Sequence, residues 1–162
     1  MNYVARFATS SGKLSDYLRR KLRERGWEDE GEPDVAGLVA RYSELGYIDD
    51  QAWAKARSDG LLRRGYGARR VGQALHAAGI DEDIREDLQP GEEERRRAAL
   101  VLARKRRFGP FGGDMPERDV REKQFAAMVR AGHSFDAARA LVEADSEAAA
   151  ERWLAEAEED EE

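Results

Sequence analysis

The sequence contains no cysteine and only two histidines. Without cysteine the chain forms no disulfide bond and offers no thiolate to a metal ion. His76 and His133 lie far apart, and a metal ligand or a general base needs partners that converge on it. The sequence also lacks a glycine-rich phosphate loop followed by Lys-Ser/Thr and a serine nucleophile elbow. These absences predict a protein with no catalytic residue, no metal site and no cofactor.

Long apolar runs are missing as well. No segment has the length and apolar character of a membrane span, and the start, MNYVARFATSSGK, lacks the apolar centre of a signal peptide. We therefore expect a soluble, cytoplasmic protein, most simply a monomer. Charged residues make up 38% of the chain and apolar residues 41%, against about 25% charged in an average globular domain. This balance favours an elongated array of thin helical units over one thick core.

Positive charge is concentrated in the middle of the chain. The formal net charge is −6. Residues 1–60 hold 10 Lys/Arg and 11 Asp/Glu, residues 61–110 hold 12 and 8, and residues 111–162 hold 6 and 15. The middle is therefore basic and the end strongly acidic, which indicates a contact surface for an acidic partner in the middle segment.

Helical periodicity recurs along the chain, whereas the alternation typical of strands does not. Apolar residues at helical spacing form five stripes: Leu14, Tyr17, Leu18 and Leu22; Val35, Leu38, Val39 and Tyr42; Val71, Ala74, Leu75 and Ala78; Phe125, Met128 and Val129; Ala150, Trp153, Leu154 and Ala157. Each stripe predicts an amphipathic helix with one buried face. The sequence thus predicts an all-α fold.

The predicted helices end in a shared pattern. A glycine ends one helix, an apolar or aromatic residue follows, and an Asp or Ser begins the next, as in LGYIDD (45–50), AGIDED (78–83) and AGHSFD (131–136). Glycine suits the left-handed position that closes a helix, and Asp or Ser caps the next one. RGYGA (64–68) is a further joint, in which Gly67 is expected to relieve the turn. KRRFGP (105–110) has the same order of basic residues, an aromatic residue and a glycine, and is predicted to form a similar joint. The predicted joint residues are Gly46, Tyr47, Asp49, Gly65, Tyr66, Gly67, Gly79 and Ile80.

A longer period underlies these joints, because Gly26, Gly79 and Gly132 lie 53 residues apart. Fixed-period similarity is typical of repeat proteins. We predict three tandem three-helix repeats with these boundaries: an N-terminal extension at 1–12, repeats at 13–65 and 66–108, a loop with the third repeat at 109–157, and an acidic tail at 158–162. The final EAEEDEE (156–162) is expected to be disordered or frayed.

Trp27, Tyr47, Trp53 and Tyr66 are expected to pack in the core rather than to stack on bases.

Two groups of cations are the candidate binding residues: Arg63, Arg64, Arg69 and Arg70 at the first inter-repeat joint, and Arg104, Lys105, Arg106 and Arg107 at the second. Arginine suits bidentate contact with carboxylate or phosphate. The alternative is that such cations pair with nearby acids or stabilise helix C-termini, and for Arg95–Arg97 the two interpretations stand equal. The acidic runs at 81–83 and 92–94 lie at predicted helix starts, which we favour over a metal site.

The segment ELGYIDDQAWAKARSDGLLRRGYGARRVGQALHAAGID (44–81) resembles the signature region of the RecX family of bacterial regulatory proteins, and LRRKLRERGW (18–27) is also similar. EKQFAAMVRAGHSFDAARALV (122–142) is similar to the family's third unit, while the insertion at 109–116 and the acidic tail depart from its pattern. The resemblance implies a curved all-α protein of three tandem three-helix repeats. It also implies a non-catalytic modulator, mainly an inhibitor, of the RecA recombinase, bound along the groove of the RecA–single-stranded-DNA filament.

Two other functions remain open at this point. Helix–turn–helix-like pairs with arginine-rich helices also fit a protein that binds nucleic acid directly, although the net charge of −6 favours only weak binding to single-stranded DNA. A scaffold module that binds an unrelated helix is the third possibility.

Overall fold

The computed structural model describes residues 9–160, with side chains up to residue 157. This part of the chain is all-α and contains no strand, which confirms the predicted fold class. The helices are α1 (Ser11–Arg25), α2 (Val35–Glu44), α3 (Asp50–Arg63), α4 (Ala68–Ala77), α5 (Glu82–Asp87), α6 (Glu92–Arg106), α7 (Arg118–Arg130), α8 (Phe135–Val142) and α9 (Glu147–Asp160), with a short 3₁₀ turn at Gly109–Gly112. Each predicted repeat segment holds three α-helices, but the repeat boundaries themselves stay a prediction.

The glycine joints have one common geometry. Gly46, Gly65, Gly79 and Gly132 have φ of 75°, 91°, 73° and 100°. In each case the glycine N–H donates to the carbonyl three residues back, and the next N–H donates to the carbonyl five residues back, as in Tyr47 to Tyr42 at 3.0 Å. These are Schellman helix ends, in which the left-handed residue lets the last carbonyls find partners.

The joint at KRRFGP differs from the prediction. Arg107, not a glycine, takes the left-handed position, with φ 56° and ψ 46°. Its N–H donates to the Arg104 carbonyl at 3.2 Å, and the Phe108 N–H donates to the Ala103 carbonyl at 2.9 Å. The chain needs a left-handed residue at the end of α6, and the glycine lies two positions too late to supply it.

Gly67 has a different role from the one predicted. Its φ is not positive, so the turn does not need a glycine there. A Cβ on Gly67 would overlap the carbonyl of Gly132 and lie 2.5 Å from the backbone nitrogen of His133. The Gly67 N–H donates to the Ala131 carbonyl at 2.9 Å. Gly67 therefore permits backbone-to-backbone approach between the α3–α4 joint and the α7–α8 joint.

The chain divides into two compact units, Met1–Arg57 with Ala74–Leu88, and Ser58–Gln73 with Gln89–Glu162. In the first unit the Ser10 hydroxyl, fully buried, donates to the Ala78 carbonyl at 2.6 Å. The Ser11 N–H donates to Asp50 Oδ1 at 2.7 Å. These bonds tie the start of α1 to the end of α4 and the start of α3.

The second unit has an alanine-rich core formed by α6, α7, α8 and α9. Its buried members are Ala99, Leu100, Leu102, Ala103, Met128, Ala137, Ala138, Leu141, Val142 and Ala150. Small side chains let helices approach closely, and the aromatic rings of Phe125 and Trp153 pack on the edge of this cluster. This core fixes the positions of the helix ends that carry the basic residues.

Several sequence expectations are wrong. No residue of α2 is buried, and Leu38 is 40% exposed, so the predicted apolar stripe is only partly covered. Trp27 is 49% and Tyr47 60% exposed, so they are not core residues. Both follow a helix-ending glycine, and that position does not determine what covers the side chain. Tyr47 instead contacts Tyr42 edge-on at 5.9 Å.

The acidic end also differs from the expectation. Helix α9 continues to Asp160, where a frayed or disordered tail is predicted from residue 156. The last two residues of that predicted tail, and residues 1–8 of the predicted N-terminal extension, lie outside the described residues. The buried Ala157 shows why the helix persists: its inner face is still packed while its outer face is acidic.

Candidate anion-binding site

Cations from both predicted groups meet in one open pocket of about 500 Å³ within the second unit. It is lined by Arg64, Tyr66, Arg70, Leu102, Lys105, Arg106, Ala127, Arg130 and Ala131, and we call it the basic pocket. Arg64 follows the end of α3, Arg70 lies in the first turn of α4, and Lys105 and Arg106 lie in the last turn of α6. Arg130, the last residue of α7, completes the pocket.

Carboxylates are absent from the described lining of the basic pocket. Within residues 9–157 none of its five cationic side chains forms an ion pair. All five are exposed. The Arg64 Nε–H donates to the Gly60 carbonyl at 3.1 Å, which orients the guanidinium without neutralising it. The pocket therefore presents unpaired positive charge to solvent.

Tyr66 organises two of the cations. The guanidinium carbons of Arg64 and Arg70 lie 5.7 and 5.9 Å from the centre of its ring. Cation–π attraction of this kind contributes about 0.5–1 kcal/mol at exposed sites. The half-buried ring thus holds both guanidiniums near the pocket, and apart from the Arg64 Nε–H that is donated to Gly60, their N–H groups make no described hydrogen bond and can bind an anion.

The end charges of three helices offset only part of the charge on these cations. Each helix C-terminus carries about half a negative charge, so α3, α6 and α7 together supply roughly −1.5 against five positive side chains. The surplus is more than three charges. An arrangement of this kind favours binding of an anion with several charges.

The other four predicted cations lie elsewhere. Arg63 is exposed at the end of α3 outside the basic pocket, and Arg69 lines a second pocket. Arg104 forms an ion pair with Glu151 of α9 and lies 5.6 Å from the Phe111 ring. Arg107 acts through its backbone at the end of α6. Arg104 therefore already has a carboxylate partner within the chain, although its side chain is still 49% exposed, and its contact with a partner protein stays a prediction.

Arg130 was not among the predicted site residues. It stands two positions before the joint glycine Gly132, as Arg63 stands two positions before Gly65. A search for basic residues one or two positions before every joint glycine, rather than for runs of cations, would have found it.

The three arginines at the start of α6 pair with acids of the same helix. Arg95 and Arg96 lie 3.4 and 2.8 Å from Glu92, and Arg97 pairs with Glu93. Of the two interpretations of Arg95–Arg97, the structure supports local charge balance at i, i+3 and i, i+4. The acidic runs do begin helices, at Glu82 and Glu92, as predicted.

A second pocket of about 620 Å³ lies beside this helix start. Its lining is mixed: it includes Arg69, Arg95 and Arg96 but also Glu92 and Asp136. The Arg96 guanidinium is turned to Trp153, with its carbon 4.9 Å from the ring centre and one N–H donated to the Trp153 carbonyl at 2.5 Å. Since its acids already neutralise most of its cations, this pocket is a weaker anion site than the basic pocket.

His133 is a packed joint residue, as expected. It is 7% exposed, and its Nε2 lies 2.8 Å from the Gly65 carbonyl, so the neutral ring donates that hydrogen bond. Burial lowers the pKa of His133 from its ordinary value, and the hydrogen bond to Gly65 offsets this in part. The histidine therefore holds the joint that precedes Tyr66.

Residues 9–157, whose side chains the structure describes, contain no group of three His, Asp or Glu side chains placed to hold a metal ion. Within the same residues, no helix is both long enough and apolar enough to cross a bilayer.

Comparison with known proteins identifies relatives along almost the whole chain. No protein-family model matches it. The chain is 27% identical over 157 residues to the regulatory protein RecX of Myxococcus xanthus (strain DK1622), covering 90% of this chain and 82% of that protein. It is 30% identical over 158 residues to the regulatory protein RecX of Mycobacterium sp. (strain JLS), covering 93% and 82%.

The fold agrees with a solved structure. The crystal structure of RecX from Lactobacillus salivarius superposes with a TM-score of 0.65 at 20% identity, over 87% of this chain and 88% of that one. The sequence relatives are named regulatory proteins and the helical architecture is shared. The chain thus belongs to the RecX family of regulatory proteins.

Proposed function

We propose that this protein binds the RecA–single-stranded-DNA filament and modulates, mainly by inhibition, its recombinase and ATPase activities. Membership of the RecX family directs the proposal to RecA, as the sequence resemblance implies. The structural observation that carries it is the basic pocket, whose five unpaired cations can contact an acidic surface. Such a protein regulates DNA repair and recombination without catalysing a reaction.

The cations of the basic pocket are the proposed contact residues. Guanidinium groups form two parallel hydrogen bonds with a carboxylate, and each charge-assisted bond of this kind is among the stronger polar contacts at protein surfaces. Because no described acid competes for Arg64, Arg70, Lys105, Arg106 or Arg130, a partner's carboxylates need not displace an existing ion pair. Occupying the filament in this way would hinder strand exchange and filament growth.

The decisive experiment is a titration of RecA ATPase activity on single-stranded DNA. The wild-type chain, added at sub-stoichiometric levels, is expected to lower turnover. The double variant Arg64→Gln/Arg70→Gln is expected to need more than about tenfold higher concentration for half-inhibition, because two charge-assisted contacts are lost.

The chain offers a closely matched control. Arg63→Gln/Arg69→Gln removes the same charge from the neighbouring positions, which lie outside the basic pocket, and is expected to raise the half-inhibitory concentration by less than about threefold. Unchanged turnover and filament length with the wild-type chain would refute the proposal. An equal rise of the half-inhibitory concentration in the two double variants would show that net charge, rather than the pocket, governs binding. Arg63 and Arg69 would then count as contact residues, as predicted from the sequence.

A further inference from the structure

The basic pocket carries more positive charge than one carboxylate can neutralise. Five cationic side chains line it, no described carboxylate does, and three helix ends offset only about 1.5 of these charges. A single carboxylate contributes one negative charge and would leave more than two unbalanced. The charge of the pocket therefore matches an anion that carries several charges within a small volume.

An oligophosphate group has this property. A triphosphate carries roughly four negative charges near neutral pH, and phosphate oxygens accept paired hydrogen bonds from guanidinium groups. The pocket volume of about 500 Å³ falls within the range of small-ligand sites. Arg64 and Arg70 both lie within 6 Å of the centre of the Tyr66 ring. The Arg64 Nε–H is donated to the Gly60 carbonyl, and the other guanidinium N–H groups of these two residues make no described hydrogen bond and can bind such a ligand.

We propose that the basic pocket binds an oligophosphate group, either free inorganic oligophosphate or the phosphates of a nucleoside triphosphate. Binding needs only the second unit's own residues and does not depend on RecA. One consequence does rest on the proposed function: because the same cations would contact the filament, bound oligophosphate would compete with it and relieve inhibition.

Isothermal titration calorimetry on the isolated full chain tests the proposal directly. Inorganic tripolyphosphate is titrated at about 150 mM salt, where contacts between distant exposed charges are screened. The expected result is saturable binding of one tripolyphosphate per chain. Arg64→Gln/Arg70→Gln should weaken it more than about tenfold, whereas Arg63→Gln/Arg69→Gln should change it by less than about twofold.

A second variant covers the case in which the first one unfolds. Lys105 is exposed and forms no described ion pair, so Lys105→Gln should fold normally. It is expected to weaken tripolyphosphate binding by more than about threefold. Circular dichroism melting of each variant separates loss of binding from loss of fold.

Parallel titrations with ATP and with inorganic phosphate distinguish the source of the ligand. Equal affinity for tripolyphosphate and ATP supports free oligophosphate, and tighter ATP binding supports a nucleoside triphosphate. In both cases single phosphate should bind at least about tenfold more weakly. The proposal is overturned if neither triphosphate binds saturably, if the two double variants lose equal affinity, or if a single-stranded oligonucleotide binds and tripolyphosphate does not compete. Because no assay here contains RecA, these outcomes are separate from failure of ATPase inhibition.

Discussion

At the scale of the residue, glycines with the same local sequence context have different physical roles. Gly65 adopts the left-handed backbone with φ of 91°, whereas Gly67, two positions later, is required by a close backbone approach to Gly132 and His133. Gly72, inside α4, has nothing within 4 Å of the place where its Cβ would lie. The sequence shows three glycines in eight residues, and only the packing shows which of them tolerate a side chain.

Gly67→Ala and Gly72→Ala are therefore expected to act in opposite directions. Gly67→Ala forces apart two backbone segments and should lower the free energy of unfolding by about 1–3 kcal/mol. Gly72→Ala removes a flexible residue from a helix interior and should raise it by about 0.5–1 kcal/mol. Urea denaturation of both variants measures the difference. Similar stability changes in the two would mean that the joints do not touch as described.

At the scale of the element, the end of α6 combines a standard hydrogen-bond pattern with an unsuited residue. Arg107 holds the left-handed conformation that glycine holds at four other joints. A side chain in this conformation costs roughly 1–2 kcal/mol relative to the right-handed one. The helix end is maintained because Phe108 N–H and Arg107 N–H both find carbonyl partners.

Arg107→Gly is expected to stabilise the protein. The gain should be about 0.5–1 kcal/mol, since glycine relieves the strain but loses more conformational entropy on folding. The expected rise in Tm is roughly 1–4 °C for a chain of this size. Arg106→Gly removes the same charge one residue earlier, within the helix, and should lower Tm because glycine is a poor helix former. A fall in Tm for both variants would show that the Arg107 conformation is not strained.

At the scale of the whole molecule, charge is separated rather than balanced. The net charge is −6, yet the basic pocket lacks any described acid. Acidic side chains gather on α9, where Glu151 pairs with Arg104 and Glu156 lies 3.9 Å from Arg96. Helix α9 thus engages two cations of α6 and leaves those of the basic pocket unpaired.

The five unpaired cations of the basic pocket set the number of contacts that we expect with DNA phosphates. If the five pocket cations make all the phosphate contacts, the logarithm of the affinity for single-stranded DNA should fall with the logarithm of salt with a slope of about −3.5, at roughly 0.7 per phosphate. Fluorescence anisotropy of a labelled oligonucleotide at several salt concentrations measures this slope. Arg64→Gln/Arg70→Gln should make it shallower by about 1.4. A wild-type slope steeper than about −5 would favour a nucleic-acid-binding protein with contacts outside the pocket.

Local features of the sequence sufficed to predict the all-α fold, the glycine-ended helices and the acidic helix starts. Helix periodicity, the left-handed preference of glycine and N-capping all act over a few residues, so a single sequence displays them. The prediction of Arg107's helix end failed because the fold demanded a left-handed residue where the sequence offers none. The exposure of Tyr47 was missed because a position after a helix-ending glycine does not determine which element, if any, covers the side chain.

The amino-acid sequence by itself determined that the middle of this chain is basic and helical. Only the tertiary structure decided that Arg64, Arg70, Lys105, Arg106 and Arg130 share one pocket while Arg104 is paired with Glu151. The reason is physical: which charges meet depends on contacts between residues dozens of positions apart. Those contacts are fixed by the packing of helix ends, and they cannot be predicted from sequence patterns that span only a few residues.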